Sequence, residues 1–106
     1  MIDTTLAALA DPTRRGVVEA LRGGPRRAGE LARRADVSAP AMSRHLRVLR
    51  RSGLVAEESP EADARVRLYR LEPAPFRELG GWLREVEAAW AGQLAAFADW
   101  AERGDR

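Results

Sequence analysis

Cysteine is absent from this chain of 106 residues, and histidine occurs once, as His45. Without cysteine the protein cannot form disulfides, thiolate metal sites, thiol redox switches or a cysteine nucleophile. A single histidine leaves little scope for histidine acid–base chemistry, and no nucleophile–base pair, carboxylate dyad or phosphate-binding loop is visible. The sequence therefore predicts no enzymatic activity and no cofactor.

Long apolar runs are also missing. No stretch is close to the length of about 18 apolar residues that a membrane-spanning helix needs. The opening Met1-Ile2-Asp3 lacks the basic segment of a signal peptide. We therefore expect a cytoplasmic protein without a membrane partner. The length predicts one domain over residues 1–106, and 45% hydrophobic with 32% charged residues is typical of a folded protein.

Lysine is absent too, so all 18 basic residues are arginines, and they are unevenly distributed. The formal net charge is +2, but residues 1–53 hold 11 arginines against 5 acids and residues 54–106 hold 7 against 11. The first half therefore carries +6 and the second −4. This asymmetry favours a DNA-binding half joined to an assembly element, the alternative being an ordinary solvated surface.

Residues 37–55 contain the strongest helix signal. Ser38 is a favourable N-cap, Pro40 lies in the first turn, and Gly53 suits a left-handed helix end. One face carries apolar residues at helical spacing, namely Met42, Leu46 and Leu49. The other side carries no acidic residue. It carries Ser43, Arg44, Arg47, Arg50 and Arg51. A short helix with these two faces suits a DNA major groove.

Three shorter helices precede this one. The first contains Ile2, Leu6 and Leu9, the second begins after Asp11-Pro12, and the third spans residues 28–35. The third helix, a tight turn and the helix after Ser38 form a predicted helix-turn-helix over residues 28–52. Arg14 and Arg15 lie in the first turn of the second helix, where the helix dipole disfavours them, so we expect carboxylate or phosphate partners.

Residues 54–71 predict a β-hairpin with strands over Leu54–Glu58 and Val66–Leu71. Since an isolated hairpin is marginally stable, it must pack on the helices. A hairpin in this place is the wing of a winged helix-turn-helix, with Arg65 and Arg67 near its tip. The predicted fold is mostly α with a two-stranded β wing, in the order α-α-α-α-β-β-α.

Residues 74–103 predict a long C-terminal helix with a break or kink at Gly80-Gly81. One apolar stripe runs from Phe76 to Phe97, and a second stripe beside it contains Trp82 and Trp100. These stripes exceed what a small core can cover, so we expect them to meet a second copy of the chain. In the alternative, the helix folds wholly back onto its own domain.

Several motifs follow one another at a distinctive spacing: Ala8-Leu9-Ala10-Asp11-Pro12-Thr13-Arg14-Arg15, Glu30-Leu31-Ala32, Val37-Ser38, Ser43-Arg44-His45-Leu46-Arg47-Val48-Leu49, Gly53-Leu54-Val55 and Tyr69-Arg70-Leu71. Together with the tryptophans of the closing helix, they resemble the ArsR-type (ArsR/SmtB) winged helix-turn-helix repressors over nearly the whole chain. The resemblance implies a homodimer that binds double-stranded DNA at a palindromic operator. Binding of an inducer usually makes such a protein release the DNA.

The resemblance also implies roles for individual positions. Arg44 is the expected base reader, because its fork can bond guanine O6 and N7 together. The implied DNA-binding residues are Ser38, Ala39, Pro40, Ser43, Arg44, Arg47, Arg65 and Arg67. The implied dimer interface, through the first and last helices, comprises Ile2, Leu6, Leu9, Trp82, Val86, Trp90, Leu94 and Phe97.

The sensing sites common in this family are not matched. Arg27 and Gly29 occupy the positions of a Cys-x-Cys metal site, and the last helix has no histidine. The sequence thus predicts no metal site and names no inducer. Two alternatives stay open, a protein-interaction module of the same fold and a nickel- or zinc-responsive regulator with carboxylate ligands. Those carboxylates would be Glu57, Glu58, Glu61 and Asp63, or Glu85 and Glu87.

His45 fits packing or a position beside phosphate better than a ligand role, since a lone histidine makes a poor metal site.

Overall fold

The computed structural model describes residues 2–60 and 65–104. Its elements are α1 (Ile2–Leu9), α2 (Pro12–Leu21), α3 (Ala28–Ala35), α4 (Ala39–Arg51), β1 (Val55–Glu58), β2 (Leu68–Leu71) and α5 (Pro73–Gly104). The predicted fold class, mostly α with a two-stranded β wing, is confirmed. None of the described helices combines the length and apolarity needed to cross a membrane.

The core lies where α4 packs against α2, α3 and the beginning of the wing. Met42, Leu46 and Leu49 of α4 are buried, as their spacing predicts. They pack in one cluster with apolar side chains of the neighbouring elements: Val17, Leu21, Leu31, Ala32, Leu54 and Val55. Each fully buried side chain of this size contributes about 1.5–3 kcal/mol relative to an exposed one.

The turn between α3 and α4 combines a left-handed residue at the end of α3 with a side-chain cap at the beginning of α4. Asp36 ends α3 in the left-handed region at φ 54°, which aspartate tolerates better than most residues. The side-chain oxygen of Ser38 accepts a hydrogen bond of 3.2 Å from the Ala41 amide, and Gly53 has φ 76° just after α4. The predicted N-cap of α4 and its glycine end are confirmed.

Arg14 and Arg15 have partners other than the expected carboxylates or phosphate. Arg14 Nε donates to the Ala8 carbonyl at 2.7 Å, and Arg15 donates to the Leu9 carbonyl at 2.8 Å. Carbonyls in the last turn of a helix lack intrahelical partners and lie at its negative end. The two arginines therefore complete the C-terminus of α1 and hold it against α2.

The helix α1 buries small residues instead of its larger apolar ones. Thr5 and Ala8 are buried, whereas Leu6 is 42% exposed and Ile2 and Leu9 are half-buried. Small side chains permit close contact with the neighbouring helices. The larger residues of the predicted stripe are consequently left at least partly accessible.

The hairpin is antiparallel, with Val55 opposite Leu71 and Glu58 opposite Leu68. Its second strand begins two residues later than predicted, at Leu68. Backbone bonds of 3.0 and 2.8 Å between Arg26 and Tyr69 join β2 to the segment between α2 and α3. The wing is thereby anchored to the helices, which supplies the support that an isolated hairpin lacks.

The predicted break at Gly80-Gly81 is wrong, because α5 runs as one helix of 32 residues, whereas a kink at the two glycines stays a prediction. Glycine costs only about 1 kcal/mol relative to alanine inside a helix, and cooperative bonding along a long helix absorbs that cost. The molecule measures 73 × 27 × 22 Å, and residues 82–100 of α5 are exposed. The alternative in which this helix folds wholly back onto its own domain is therefore also wrong.

The burial of one face of α4 can be tested at two adjacent residues. Leu49 is 0% exposed and Val48 is 38% exposed. Leu49→Ala should lower the free energy of unfolding by about 2–5 kcal/mol because it leaves a cavity, whereas Val48→Ala should change it by about 0.5 kcal/mol or less. Urea unfolding followed by circular dichroism measures both. Similar losses in the two variants would contradict the assigned rotation of α4.

Candidate nucleic-acid interface

The outer face of α4 is a row of arginines. At about 100° per residue, Arg44, Arg47 and Arg51 lie opposite the buried Met42–Leu49 stripe. All three are exposed, and their guanidinium groups have no ion pair or hydrogen bond with any residue that the structure describes. The burial of one face therefore presents on the other three positive charges that no described acid compensates.

The beginning of α4 supplies smaller groups beside this row. Ser38, Ala39, Pro40 and Ser43 are all exposed. The Ser38 oxygen already accepts the Ala41 amide bond, but its hydroxyl hydrogen can still be donated. Ala39 and Pro40 can offer only apolar contact. The positive end of the helix dipole adds to the attraction for an anion here.

Glu57 links the wing to α4. Its carboxylate accepts a bond of 3.0 Å from the Tyr69 hydroxyl and lies 3.4 Å from Arg50 and 3.6 Å from Arg67. Arg50 is thereby directed to the wing instead of the arginine row. Arg67 is exposed but forms an ion pair with Glu57, and Arg65 is exposed just before β2. The two predicted wing residues thus differ in setting from Arg44 and Arg47.

His45 faces α2 and not the arginine row. It is half-buried, and its Nδ1 lies 3.8 Å from Oδ2 of Asp11, the N-cap of α2. The same carboxylate oxygen accepts the Arg14 amide at 2.9 Å. This backbone bond, assisted by the charges of His45 and Arg14, holds the pKa of Asp11 below its usual 3.8. His45 therefore lies at the contact between α4 and α2.

The carboxylates considered as metal ligands are dispersed or paired. Glu57 has the partners just described, and Glu58 lies 3.3 Å from Arg70. Among residues 2–60 and 65–104, no three histidine, aspartate or glutamate side chains come together in a group that could hold a metal ion. Glu61 and Asp63 lie outside the described residues.

The residues expected at a dimer interface form a long exposed surface on α5, with Ile2 and Leu9 half-buried at α1. Along α5, exposure rises to 59% at Trp90 and 64% at Phe97. Trp100, at 66% exposed, extends this surface and lies 5.9 Å from Phe97 between ring centroids. The sequence pattern places Arg51 on the arginine face of α4 and Trp100 in the second apolar stripe, but it assigns neither to a DNA-binding or dimer role, although helical periodicity places each beside expected site residues.

Comparison with known proteins identifies the family. A family model described as a helix-turn-helix domain matches residues 9–58. The HTH-type transcriptional regulator Rv2034 of Mycobacterium tuberculosis is 41% identical over 96 residues, 91% of this chain and 84% of that protein. A solved ArsR-like transcriptional regulator from Rhodococcus sp. RHA1 matches with a TM-score of 0.80 and 31% identity, covering 95% of this chain and 90% of the other.

The chain belongs to the ArsR family of transcriptional regulators. This ArsR-type protein is also 32% identical over 56 residues to the transcriptional repressor SdpR of Bacillus subtilis, covering 53% of the chain and 62% of SdpR. The matched segment of the family model, residues 9–58, contains α2 to β1. The arginine row of α4 is therefore part of the helix-turn-helix of a DNA-binding regulator.

The Glu57 contact can be tested through Tyr69, the only tyrosine of this ArsR-type chain. Burial, followed by the hydrogen bond and charge of Glu57, raises the pKa of Tyr69 above its usual 10.0. Glu57→Gln removes the charge, so the pKa of Tyr69 should fall toward 10.0 but stay above it. Phenolate absorbance against pH measures the shift. Glu58→Gln is the matched control, and equal pKa values in wild type and Glu57→Gln would refute the contact.

Proposed function

We propose that this ArsR-type regulator is a homodimeric repressor that reads a palindromic operator through α4. The observation that carries the proposal is the row of Arg44, Arg47 and Arg51, exposed and uncompensated by any described acid. Buried apolar contacts fix the rotation of this helix, so the row is preorganised for a polyanion. A helix of 13 residues, about 20 Å long, fits a major groove.

Within this row we assign different roles to the arginines. Arg44 lies nearest the N-terminus of α4, the end that contacts base edges in helix-turn-helix proteins. Its planar fork is suited to guanine O6 and N7. Arg47 and Arg51 lie one and two turns further along and are assigned to phosphates, as are the hydroxyls of Ser38 and Ser43. Arg65 and Arg67 are assigned to the backbone or minor groove beside the wing.

The homodimer rests on the apolar surface of α5. Trp90, Phe97 and Trp100 are each more than half exposed in a single protomer. Isolated soluble proteins rarely expose a continuous apolar patch of this kind. Pairing of two α5 helices covers the surface and gives two copies of α4, which can enter successive major grooves about 34 Å apart. A two-fold axis between the copies makes the operator palindromic.

The repressor role is supported by the relative SdpR, which is named a transcriptional repressor. A dimer bound across a promoter excludes polymerase from the same DNA, so repression requires no further activity of the protein. Neither a metal-responsive regulator nor an interaction module is favoured by a specific contact among the described residues.

Base reading by Arg44 is tested with DNA sites that the wild-type protein selects from a random pool. Arg44→Ala should weaken binding to the selected site by about 1–3 kcal/mol and relax the preference at one base pair in each half-site. Binding to scrambled DNA of the same length should change less, since it depends mainly on phosphate contacts. Fluorescence anisotropy at fixed salt measures both affinities.

Arg22→Ala is the matched control, because Arg22 is exposed at the C-cap of α2 and bonded to Glu19 at 2.8 Å. It should leave the affinity for selected DNA within about twofold, corresponding to about 0.4 kcal/mol. Equal losses on selected and scrambled DNA in the Arg44→Ala protein would remove the base-reading role.

The dimer is tested by placing a charge on either side of α5. Trp90→Glu should give monomers in sedimentation experiments and lower the affinity for the selected palindrome by about 100-fold or more, since two half-sites no longer bind together. Ala88→Glu introduces the same residue on the opposite side of the helix and should leave both properties unchanged. Because both positions are exposed in the protomer, folding is preserved. A dimeric Trp90→Glu protein would contradict the assigned interface.

A further inference from the structure

A groove lies between α2 and the beginning of α5, away from the arginine row. Its volume is about 570 Å³. The apolar part of its lining comes from three elements, with Val18 on α2, Leu71 at the end of β2, and Pro73 and Phe76 on α5. Gly80 also lines the groove and contributes no side chain to it. Small-molecule sites commonly combine such an apolar lining with a few polar groups.

The polar groups of this groove are all cationic. Arg22, Arg77 and Arg84 line it, and no acidic side chain of the described residues does. Arg22 is bonded to Glu19, but Arg77 and Arg84 have no ion pair or hydrogen bond with any residue of the described ranges. The Arg84 guanidinium lies over Gly80, since a Cβ built there would be 3.4 Å from its Nη1. The groove thus joins an apolar lining to two unpaired guanidinium groups.

This groove is on a different side of α5 from the apolar surface. At about 100° per residue, the groove residues Arg77, Gly80 and Arg84 centre about 120° around the helix from the stripe that contains Trp90 and Phe97. Phe76, the first residue of that stripe, lies at the border between the two surfaces. A dimer formed through residues 82–97 of the stripe leaves the groove open. Only the accessibility of the groove in the dimer depends on the interface proposed above.

We propose that the groove binds a small apolar carboxylic acid. The carboxylate pairs with Arg77 and Arg84, because guanidinium groups form charge-assisted, bidentate bonds with carboxylates. The apolar body of the acid lies against Phe76, Leu71 and Val18 and removes their partly exposed surfaces from water. Neither an apolar neutral molecule nor a cation satisfies both features of the groove.

Octanoate is the probe, and 1-octanol and octylamine are its matched controls. Isothermal titration calorimetry on the full chain without DNA should show one octanoate site per protomer. Octanol should bind about tenfold more weakly or worse, which corresponds to about 1.4 kcal/mol for the lost charge-assisted bonds, and octylamine should not bind. In a two-dimensional NMR spectrum, octanoate should shift the Gly80 amide and leave the amides of residues 90–100 in place.

The double variant Arg77→Gln/Arg84→Gln should weaken octanoate binding at least tenfold, while Arg103→Gln, on the distal end of the same helix, should not. Equal affinities for octanoate and octanol, or an unchanged affinity in the double variant, would overturn the proposal. Shifts confined to residues 90–100 would also overturn it, since they would place the probe on the apolar stripe. A shift of the Gly80 amide on dilution would indicate that a second copy of the chain buries the groove. That result would also overturn the proposal. Because no DNA is present, these outcomes are independent of operator binding.

Discussion

Burial of the apolar face of α4 is the constraint on which the rest of the structure depends. Met42, Leu46 and Leu49 are at most 2% exposed, so the helix cannot rotate without bringing arginines into the core. Moving an unpaired guanidinium from water into an apolar interior is strongly unfavourable. The same buried cluster includes Leu54 and Val55, which fixes the beginning of the wing relative to α4. Apolar contacts thus determine where the charged groups lie.

The arginines have separable roles that their number alone does not reveal. Arg14 and Arg15 complete the end of α1, and Arg26 bonds to the Ala20 carbonyl and to Glu30. These groups stabilise the fold. Glu57 binds Arg50 and Arg67 between α4 and the wing. Among the described residues, the arginines without such partners are Arg27 and Arg33 at α3, three on the outer face of α4, and Arg77 and Arg84 in the α2–α5 groove. On α4 and in the groove, an external anion can compensate them.

The elements with strong local signals could be predicted from the sequence. The Ser38 cap, the apolar spacing of α4 and the glycine after it are local properties, and all three are present in the structure. The partners of Arg14 could not be predicted, because they depend on the angle between α1 and α2. The continuity of α5 through Gly80-Gly81 was missed because local propensity is weak beside the cooperativity of a long helix. The groove could not be predicted either, since its residues come from separate elements.

We propose that the arginine face of α4 reads DNA in the major groove. Methylation interference tests it most directly, because dimethyl sulfate modifies guanine N7 in the major groove and adenine N3 in the minor groove. On DNA selected by the wild-type protein, guanine methylation should block binding at two symmetric positions about one helical turn, 10 base pairs, apart. Interference from adenines alone, with guanine methylation tolerated throughout the site, would contradict the claim.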